Sequence, residues 1–258
     1  SKLLNSTGGT ATDSRLGIYF PCQLLSTKVR CLILFPREEK KSIRSYVLRS
    51  GRITAAQQRA IDEHWPKWGL DPIAGPLSLQ QVFGRNSETI LEIGFGMGDS
   101  LIQSAIQMPN VNFIGVEVHA PGVGKLLNEN TGRDLKNVRI FWHDAVEVVE
   151  RCIPAASISA TNIFFPDPWN KKKHNKRRLI KPDFVNSINK MLCKDGRLHL
   201  STDCWNYAEQ MMEIMSTSKN WKNYYGVNTF ANPSHGRPET KFELRGKRLG
   251  HQIWDLIF

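Results

Sequence analysis

The sequence predicts an α/β fold in which a mostly parallel sheet is covered by helices on both faces. Short apolar runs alternate with helical patterns from Thr89 to Met215, and repeated units of this kind build parallel sheets. The first run ends in a glycine-rich turn, and each later run ends in a polar turn. Ligands of such sheets bind beyond the carboxyl ends of the strands, so these turns are where we expect a functional site.

The elements follow in order along the chain. Thr54 to Gln57 fits a capping box that opens a helix, and Pro66 is expected to stop this helix after Trp65. A second short helix is predicted between Pro76 and Phe83. After Thr89–Ile93, the predicted strands are Val111–Val118, Val138–Trp142, Thr161–Phe165 and Arg197–Thr202, and the predicted helices are Pro121–Asn130, Ala145–Arg151, Pro182–Leu192 and Tyr207–Met215.

Three regions of the chain are distinguished by composition. Residues 1–36 show no steady periodicity, cannot be placed in the fold, and are interpreted as a disordered or non-native extension. Residues 37–84 hold a basic arm and the two N-terminal helices. The arm is either a segment that lies on phosphates or a solvated linker. Residues 85–258 form the main domain.

Composition restricts the function classes. The 258 residues are 40% hydrophobic and 23% charged, as in soluble globular proteins, and no apolar run approaches the ~20 residues of a membrane helix. The five cysteines are scattered without a C-x-x-C pair, which disfavours a disulfide framework or a zinc site and favours a reducing, cytoplasmic setting. The net charge of +11 predicts a polyanionic partner, most naturally a nucleic acid.

The glycine-rich turn has Gly94, Gly96 and Gly98 in alternation after the strand residue Glu92. Glycines permit positive φ and let a ligand approach the backbone. Asp99 stands where the dinucleotide fingerprint needs its third glycine, and no Walker pattern is present. With Glu117 closing the next strand, the pattern resembles the S-adenosylmethionine site of class I methyltransferases. A plain tight turn, or another nucleotide ligand, stays open on these residues alone.

Carboxylates stand at the end of every parallel strand of the main domain. They are Glu92, Glu117, Asp144, Asp167 and Asp203. Any one of them could be a helix cap or a solvent-facing turn residue. Five at one edge of a sheet indicate a functional site.

Two stretches suggest the chemistry. Pro166 and Pro168 stiffen the backbone around Asp167, and six of the eight residues from Lys171 to Arg178 are basic. A charge run beside a ligand pocket favours a polyanionic substrate, although charge runs alone are usually solvated surface. The second stretch, 237–250, is polar and precedes a final apolar strand, so we expect it to form a hairpin at the sheet edge.

These motifs together resemble the bacterial tRNA (guanine-N7-)-methyltransferase family, which modifies guanine 46 of the tRNA variable loop. The resemblance rests on LEIGFGMG, VEVHAPGVG, HDAVEV, FFPDPWNKKKHNKRR, STD and TKFELRGKRLGH, and it runs from about Ile43 to Phe258. It implies a Rossmann-like class I methyltransferase fold with a seven-stranded sheet whose last strand is antiparallel. It also implies S-adenosylmethionine as cofactor, tRNA as partner, and neither a metal, a membrane nor an obligatory protein partner.

The resemblance assigns roles to individual positions. Glu92, Glu117, Asp144 and Asp167 match cofactor-binding positions, beside the glycines Gly94, Gly96 and Gly98, and Asp167 is also regarded as catalytic. The substrate-binding positions are matched by Lys171, Asp203, Thr240, Lys241, Phe242 and Glu243. The RNA-contacting segment is matched by Lys173, His174, Asn175, Lys176, Arg177 and Arg178.

Two other functions are weighed against this one. Methylation of an exocyclic amine would use a D/N-P-P-aromatic motif, but Asp167 stands at the wrong place in it. A non-catalytic RNA-binding subunit would keep the fold without turnover, and the intact glycine turn with Glu92 and Glu117 argues against it. A metal role has little support because the seven histidines show no paired ligand spacing.

Overall fold

The structure is a computed structural model that describes residues 44–46, 52–72, 75–232 and 237–258. The expectations for residues 1–36, and for most of the basic arm that follows, lie outside the described residues. The backbone of Lys241 and Phe242 is described, but their side chains are not. Among the described residues, every helix is too short or too polar to cross a membrane.

A seven-stranded sheet forms the centre of the described chain. Its strands are β1 (Gly69–Leu70), β2 (Thr89–Ile93), β3 (Asn112–Val116), β4 (Val138–Phe141), β5 (Ile158–Phe164), β6 (Leu192–Thr202) and β7 (Trp254–Ile257). Their spatial order is β1-β4-β3-β2-β5-β6-β7. All neighbouring pairs are parallel except β6 and β7, which are antiparallel. The predicted fold class is therefore confirmed, including the orientation of the last strand.

The helices connect these strands and cover both faces of the sheet. They are α1 (Ala55–Trp68), α2 (Leu79–Phe83), α3 (Asp99–Gln107), α4 (Ala120–Gly132), α5 (Ala145–Arg151), α6 (Pro182–Met191), α7 (Trp205–Thr217) and α8 (Lys241–Arg248), with a 3-10 helix at Lys172–Arg177. The predicted bounds of α5 are matched residue for residue, whereas β6 begins five residues before the predicted Arg197.

Alternation along the central strands divides the core into two apolar clusters. Leu91 of β2 and Ile114 of β3 belong to one cluster, which also contains residues of α5, α6 and α7. Phe113 of β3 belongs to the other cluster, which contains residues of α1, α3 and α4. Because successive strand residues point to opposite faces, both faces of the sheet are buried, as a parallel sheet requires.

The first helix confirms its predicted start and corrects its predicted end. The Thr54 hydroxyl accepts a hydrogen bond from Gln57 N at 3.2 Å, and the Gln57 side chain accepts one from Thr54 N at 2.9 Å. The helix then continues through Pro66 to Trp68. Pro66 lies in the last turn, so it removes only one helical hydrogen bond. Trp68 is almost fully buried, and its indole N–H donates to Thr131 Oγ1 at 3.0 Å. These contacts favour continuation of the helix to its last turn.

The predicted hairpin over 237–250 is wrong, because residues 241–248 form α8. Thr240 caps this helix by accepting a hydrogen bond from Glu243 N at 3.1 Å. A Thr followed three residues later by Glu is a helix-start signal. That signal was present in the sequence and decides the local structure, while the final strand itself is confirmed as β7.

Candidate active site

The glycine turn after β2 borders an open space. Gly94, Gly96 and Gly98 have φ values of 74°, 57° and 79°, which side-chain-bearing residues adopt only at a cost. A Cβ placed on Gly94 or Gly96 would meet no atom within 4 Å, whereas one on Gly98 would lie 2.7 Å from Leu126 Cδ1. Gly98 is therefore required by packing, and the other two present bare backbone to a ligand.

Glu117, at the end of β3, holds this turn in shape. Its Oε2 accepts a hydrogen bond from Gly96 N at 2.8 Å, and its Oε1 accepts bonds from Val118 N at 2.7 Å and His119 N at 2.9 Å. Gly122, in the first turn of α4, packs against the same turn, because a Cβ on Gly122 would lie 2.0 Å from Gly96 O. The turn is thus built from backbone contacts that tolerate no bulk, and Glu117 is fixed at its rim.

Glu92 lies beneath the turn as a buried carboxyl group. It is 5% exposed, and its carboxyl group has no hydrogen-bond partner among the described residues. Burial raises the pKa of Glu92 to about 8, because desolvation disfavours the charged form. A buried acid of this kind calls for a cationic or hydrogen-bonding ligand, and the amino-acid end of S-adenosylmethionine carries an ammonium group. The donor set and the open turn fit that cofactor.

Asp144 begins α5 at the end of β4. Its Oδ1 accepts a hydrogen bond from Val146 N at 2.8 Å, so it is a helix cap as well as a candidate ligand group. Burial raises the pKa of Tyr46, and the negative charge of Asp144, to which its hydroxyl is hydrogen-bonded, raises it further. Ser45 O in turn accepts a hydrogen bond from Trp169 Nε1 at 3.0 Å. The described part of the basic arm therefore lies along the strand ends.

Asp167 follows β5 on a strained backbone. Phe165 and Trp169, on either side of it, have φ values of 51° and 48°, where bulky residues cost roughly 1–3 kcal/mol each. Phe165 N donates to Ser201 O at 2.8 Å, which anchors the turn to β6. Asp167 itself is exposed, and its carboxylate makes no hydrogen bond to another described residue. Strain maintained around an exposed carboxylate is typical of a functional position.

The basic segment beyond Trp169 forms the 3-10 helix and its flanks. The lysine side chains at 171, 172, 173 and 176 are exposed, and none of them forms an ion pair with a described carboxylate. Arg177 stacks over the Trp169 ring at 5.0 Å, and His174 meets the same ring edge-on at 5.9 Å. Burial, and then the neighbouring cations, lower the pKa of His174. The segment presents a positive surface next to Asp167.

Arg178 departs from the rest of this segment because its side chain is buried, at 1% exposed. Its guanidinium donates from Nε to Pro168 O at 2.8 Å and from Nη2 to Asn206 Oδ1 at 2.8 Å. It also lies 4.7 Å from the Tyr207 ring centroid. Arg178 ties the turn around Asp167 to α7 and offers no charge to solvent, which corrects its expected place in an RNA-contacting surface.

The predicted substrate residues of α8 lie beside a buried ion-pair network that sequence reasoning did not identify. Arg237 donates to Asp255 through two bonds of 3.0 and 3.1 Å and also contacts Glu243. His199 Nε2 lies 2.8 Å from Asp255 Oδ1, and Lys247 Nζ lies 3.0 Å from Glu243 Oε1. Glu243 is 1% exposed. The one sequence signal was an arginine six residues before Glu243, within a stretch ending in an apolar strand.

The opposite charges in this network stabilise one another. Burial alone would lower the pKa of Arg237, but hydrogen bonds and charge from Asp255 and Glu243 outweigh it and raise that pKa. For Asp255, burial acts to raise the pKa, and the bonds from His199 and Arg237 reverse this and lower it. Arg237 and Asp255 are therefore charged in the folded protein.

Asp203 completes the row of strand-end acids. It is exposed after β6, and its Oδ2 lies 3.3 Å from His251 Nδ1. The next residue, Cys204, donates from Sγ to Asn170 Oδ1 at 3.6 Å, which joins the β5 and β6 turns. Since β2 to β6 are parallel, all five predicted carboxylates lie at one edge of the sheet. Within the described ranges, no group of three or more His, Cys, Asp or Glu side chains could hold a metal ion.

Comparison with known proteins gives consistent results. A family profile described as "Putative methyltransferase" matches residues 86–256. A Saccharophagus degradans protein named tRNA (guanine-N(7)-)-methyltransferase is 48% identical over 223 residues, covering 86% of this chain and 97% of that protein. Proteins of the same name from Shewanella frigidimarina and Alcanivorax borkumensis are each 49% identical over 84% of this chain, covering 92% and 91% of their own lengths.

Among solved structures, the 16S rRNA methyltransferase KamB superposes with a TM-score of 0.51. The match covers 69% of this chain and 90% of that chain at 13% sequence identity. At this identity the likeness concerns the fold alone, and the fold is that of a methyltransferase.

Proposed function

The chain belongs to the tRNA (guanine-N7-)-methyltransferase family, and on that basis we propose that it methylates N7 of guanine 46 in the tRNA variable loop. Its cofactor is S-adenosylmethionine, which supplies an electrophilic methyl group on a sulfonium. One observation carries the assignment of the site. An open glycine turn lies above the buried Glu92, whose carboxyl group has no hydrogen-bond partner in the described part of the chain, and it shares its sheet edge with the strained turn that presents Asp167.

The cofactor-binding role falls to groups at the ends of β2, β3 and β4. Bare backbone at Gly94 and Gly96 admits close approach. Glu117 and Asp144 follow β3 and β4, on one side of β2, and their carboxylate oxygens can accept hydroxyl hydrogens. Glu92 offers its carboxyl group to the ammonium end of the cofactor. These assignments follow the family pattern, and the open space at Gly94 and Gly96 supports them.

Guanine N7 carries a free lone pair, so methyl transfer to it needs no base to remove a proton. The main task of the protein is therefore alignment, which can supply much of a rate enhancement. We assign Asp167 and Asp203, both exposed, to accept hydrogen bonds from the amine and imine edge of the guanine. Their negative charge also stabilises the positive charge that the base gains during transfer.

The role of Glu243 differs from that of the two exposed acids. Its carboxylate is buried against Arg237 and Lys247, so it acts on the substrate by holding Arg237 and the start of α8 in place. Thr240 fixes the same helix start through its cap. Lys241 and Phe242 keep the substrate-binding role that the family pattern implies.

Lys171, Lys173 and Lys176 form the exposed part of the proposed tRNA surface, with His174, Asn175 and Arg177 between them. Their charge attracts phosphates without reading sequence. The target base has to leave its stack to reach the pocket, which costs a few kcal/mol, and contacts with the backbone offset this cost. We further propose that the protein acts in the cytoplasm and without an obligatory protein partner.

The test uses a tRNA transcript in which 7-deazaguanine replaces guanine 46, so that only the accepting nitrogen is removed. We expect no methyl transfer to this tRNA, and full transfer when the same analogue replaces a guanine elsewhere. Equal transfer to both tRNAs would overturn the assignment. Asp167→Ala should fold and should lower kcat by about 100- to 1,000-fold. The matched control is Asp183→Ala, which removes another exposed acid and should leave kcat unchanged.

A further inference from the structure

Three aromatic side chains form a partly exposed cluster next to Asp203. The ring centroids of Trp205 and Trp254 are 4.5 Å apart, and Phe230 lies 5.8 Å from Trp205 and 5.1 Å from Trp254. Trp205 is 48% exposed, although it begins α7 directly after the strand-end turn that carries Asp203. Phe230 packs against the apolar core, but burial in the core does not account for the position of Trp205.

A cavity of about 200 Å³ opens against this cluster. It is lined by the apolar side chains of Phe230, Ala231, Ile253 and Trp254 together with the polar side chains of Lys247, His251 and Gln252. The volume is below the roughly 300–1,000 Å³ of pockets for drug-sized ligands, so it suits a single planar group. Its lining combines aromatic faces with side-chain donors and acceptors, which is the combination that proteins use for unstacked bases.

The cavity adjoins the proposed guanine site and lies in a positive surface. His251, on its wall, lies 3.3 Å from Asp203 through Nδ1 and Oδ2. Trp254 pairs with Thr202 at the carboxyl end of β6, which is the edge of the sheet where the site lies. The helix α8 beside it carries four basic residues and one acid. An RNA strand that delivers the guanine to Asp203 would pass this cavity.

We propose that this cavity binds the base of a nucleotide flanking the target guanine, stacked on Trp254 and Phe230 and hydrogen-bonded by Gln252. The inference rests on the proposed function and adds a second base subsite to it. Stacking on aromatic side chains tolerates any base, so the subsite holds the strand open beside the flipped guanine without restricting the tRNA sequence. Trp205 supports the stacking wall from outside the cavity.

The experiment combines protein variants with tRNAs that lack one base. The protein variants are Trp254→Leu and Phe230→Leu, with Gln252→Ala as an exposed change that leaves the aromatic packing intact. Each is measured for the KM for tRNA, kcat, cofactor affinity and Tm. The tRNAs carry an abasic residue at one or the other nucleotide adjoining the target guanine. Tyr224→Leu is the matched control, since Tyr224 is exposed at the opposite end of β7.

We expect Trp254→Leu and Phe230→Leu to raise the KM for tRNA about tenfold with unchanged cofactor affinity, and Gln252→Ala to raise it several-fold. One abasic tRNA should bind the wild type about tenfold more weakly and bind Trp254→Leu no more weakly than intact tRNA does. The subsite would be overturned if the affinity losses caused by Trp254→Leu and by the abasic residue simply added. It would also be overturned by an unchanged KM in all three variants. If the wild type methylated no tRNA, the proposed function itself would fail. If Trp254→Leu did not fold, the Gln252→Ala comparison with the abasic tRNAs would decide.

Discussion

The proposed cofactor side and the proposed RNA side of the sheet edge, hereafter the cofactor side and the RNA side, are built by different means. On the cofactor side, the turn from Gly94 to Gly98 is fixed by positive φ and by backbone hydrogen bonds to Glu117. On the RNA side, exposed cations and Asp167 project from a strained turn that Arg178 anchors from below. The first side is specified by the backbone. The second is specified by side chains, namely the buried Arg178 and the buried ion-pair network of Arg237, Asp255 and Glu243. Substitutions on the two sides should therefore fail in different ways.

The largest effect on stability is expected in the buried ion-pair network, at Arg237. Arg237→Gln removes the arginine that joins the buried carboxylates of Asp255 and Glu243 and leaves them only His199 and Lys247. Removing one partner of a buried ion pair costs about 3–5 kcal/mol of folding free energy. The pKa of Asp255 is lowered in the folded protein, so its contribution is present above its unfolded pKa and is lost as the pH falls. The deficit of the variant in urea unfolding should therefore be large from pH 7 down to about pH 4 and shrink only as the pH falls below the unfolded pKa of 3.8. Arg245→Gln, an exposed change on α8, should stay within about 0.5 kcal/mol of the wild type.

The second effect is a pH dependence on the cofactor side, at Glu92. Its folded pKa of about 8 lies above the ordinary 4.5, so the folded protein holds a proton that the unfolded chain releases. The contribution of Glu92 to stability is therefore fully present below pH 4.5 and is lost as the pH rises toward 8. Relative to Glu92→Gln, the wild type should lose about 2–4 kcal/mol over that range. Unfolding of both proteins at pH 5 and pH 8 measures it.

Glu150→Gln is the control for this experiment, since Glu150 is an exposed glutamate on α5. It should show no pH-dependent difference from the wild type. Saturating S-adenosylmethionine should reduce the loss in the wild type, because a nearby ammonium favours the ionised carboxylate. An undiminished loss would remove Glu92 from the cofactor site.

The third prediction tests whether the cofactor side depends on backbone alone. Gly96→Val places a β-branched side chain in the open space of the turn at a φ of 57°. We expect cofactor affinity to fall at least about 100-fold, or about 3 kcal/mol, by isothermal titration, while tRNA affinity is retained. Gly132→Ala also adds a methyl group into open space but at an ordinary φ, and it should leave both affinities unchanged. Parallel loss of both affinities in Gly96→Val would show that the two sides are not separable.

The sequence predicted the fold at the strand ends better than the surroundings of the basic segment, for a physical reason. Alternation of strands and helices, the glycines and the strand-end acids are local signals, and a parallel sheet gathers strand ends at one edge whatever the loops do. Whether the Arg178 side chain points into the protein or into solvent is decided by the tertiary structure. In a run of six basic residues, nothing local distinguishes the one that is buried against Pro168 and Asn206.

Two local errors have related causes. Pro66 is a helix breaker by propensity, but tertiary packing of Trp68 outweighs the loss of one hydrogen bond in the last turn. The glycines in 237–250 suggested a hairpin, although Thr240 and Glu243 carried the stronger helix-start signal. The partnership of Arg237 with Asp255 joins a loop to a strand 18 residues later, and neither residue has a local pattern that could predict it.

The smallest effect is expected on the exposed cations, where it should appear in salt dependence. Lys173→Ala with Lys176→Ala removes two exposed charges and no packing contact, so tRNA affinity should fall about tenfold near 0.15 M salt. The slope of log affinity against log salt should become shallower by roughly 1.5, since each released phosphate contact contributes about 0.7–0.9. Lys194→Ala with Lys222→Ala, two exposed lysines away from the strand-end site, should change neither quantity. Arg178→Gln provides the opposite pattern, a lower free energy of unfolding with an unchanged slope, because that guanidinium neutralises no phosphate. An unchanged slope in the Lys173 and Lys176 double variant would mean that tRNA approaches Asp167 from another direction.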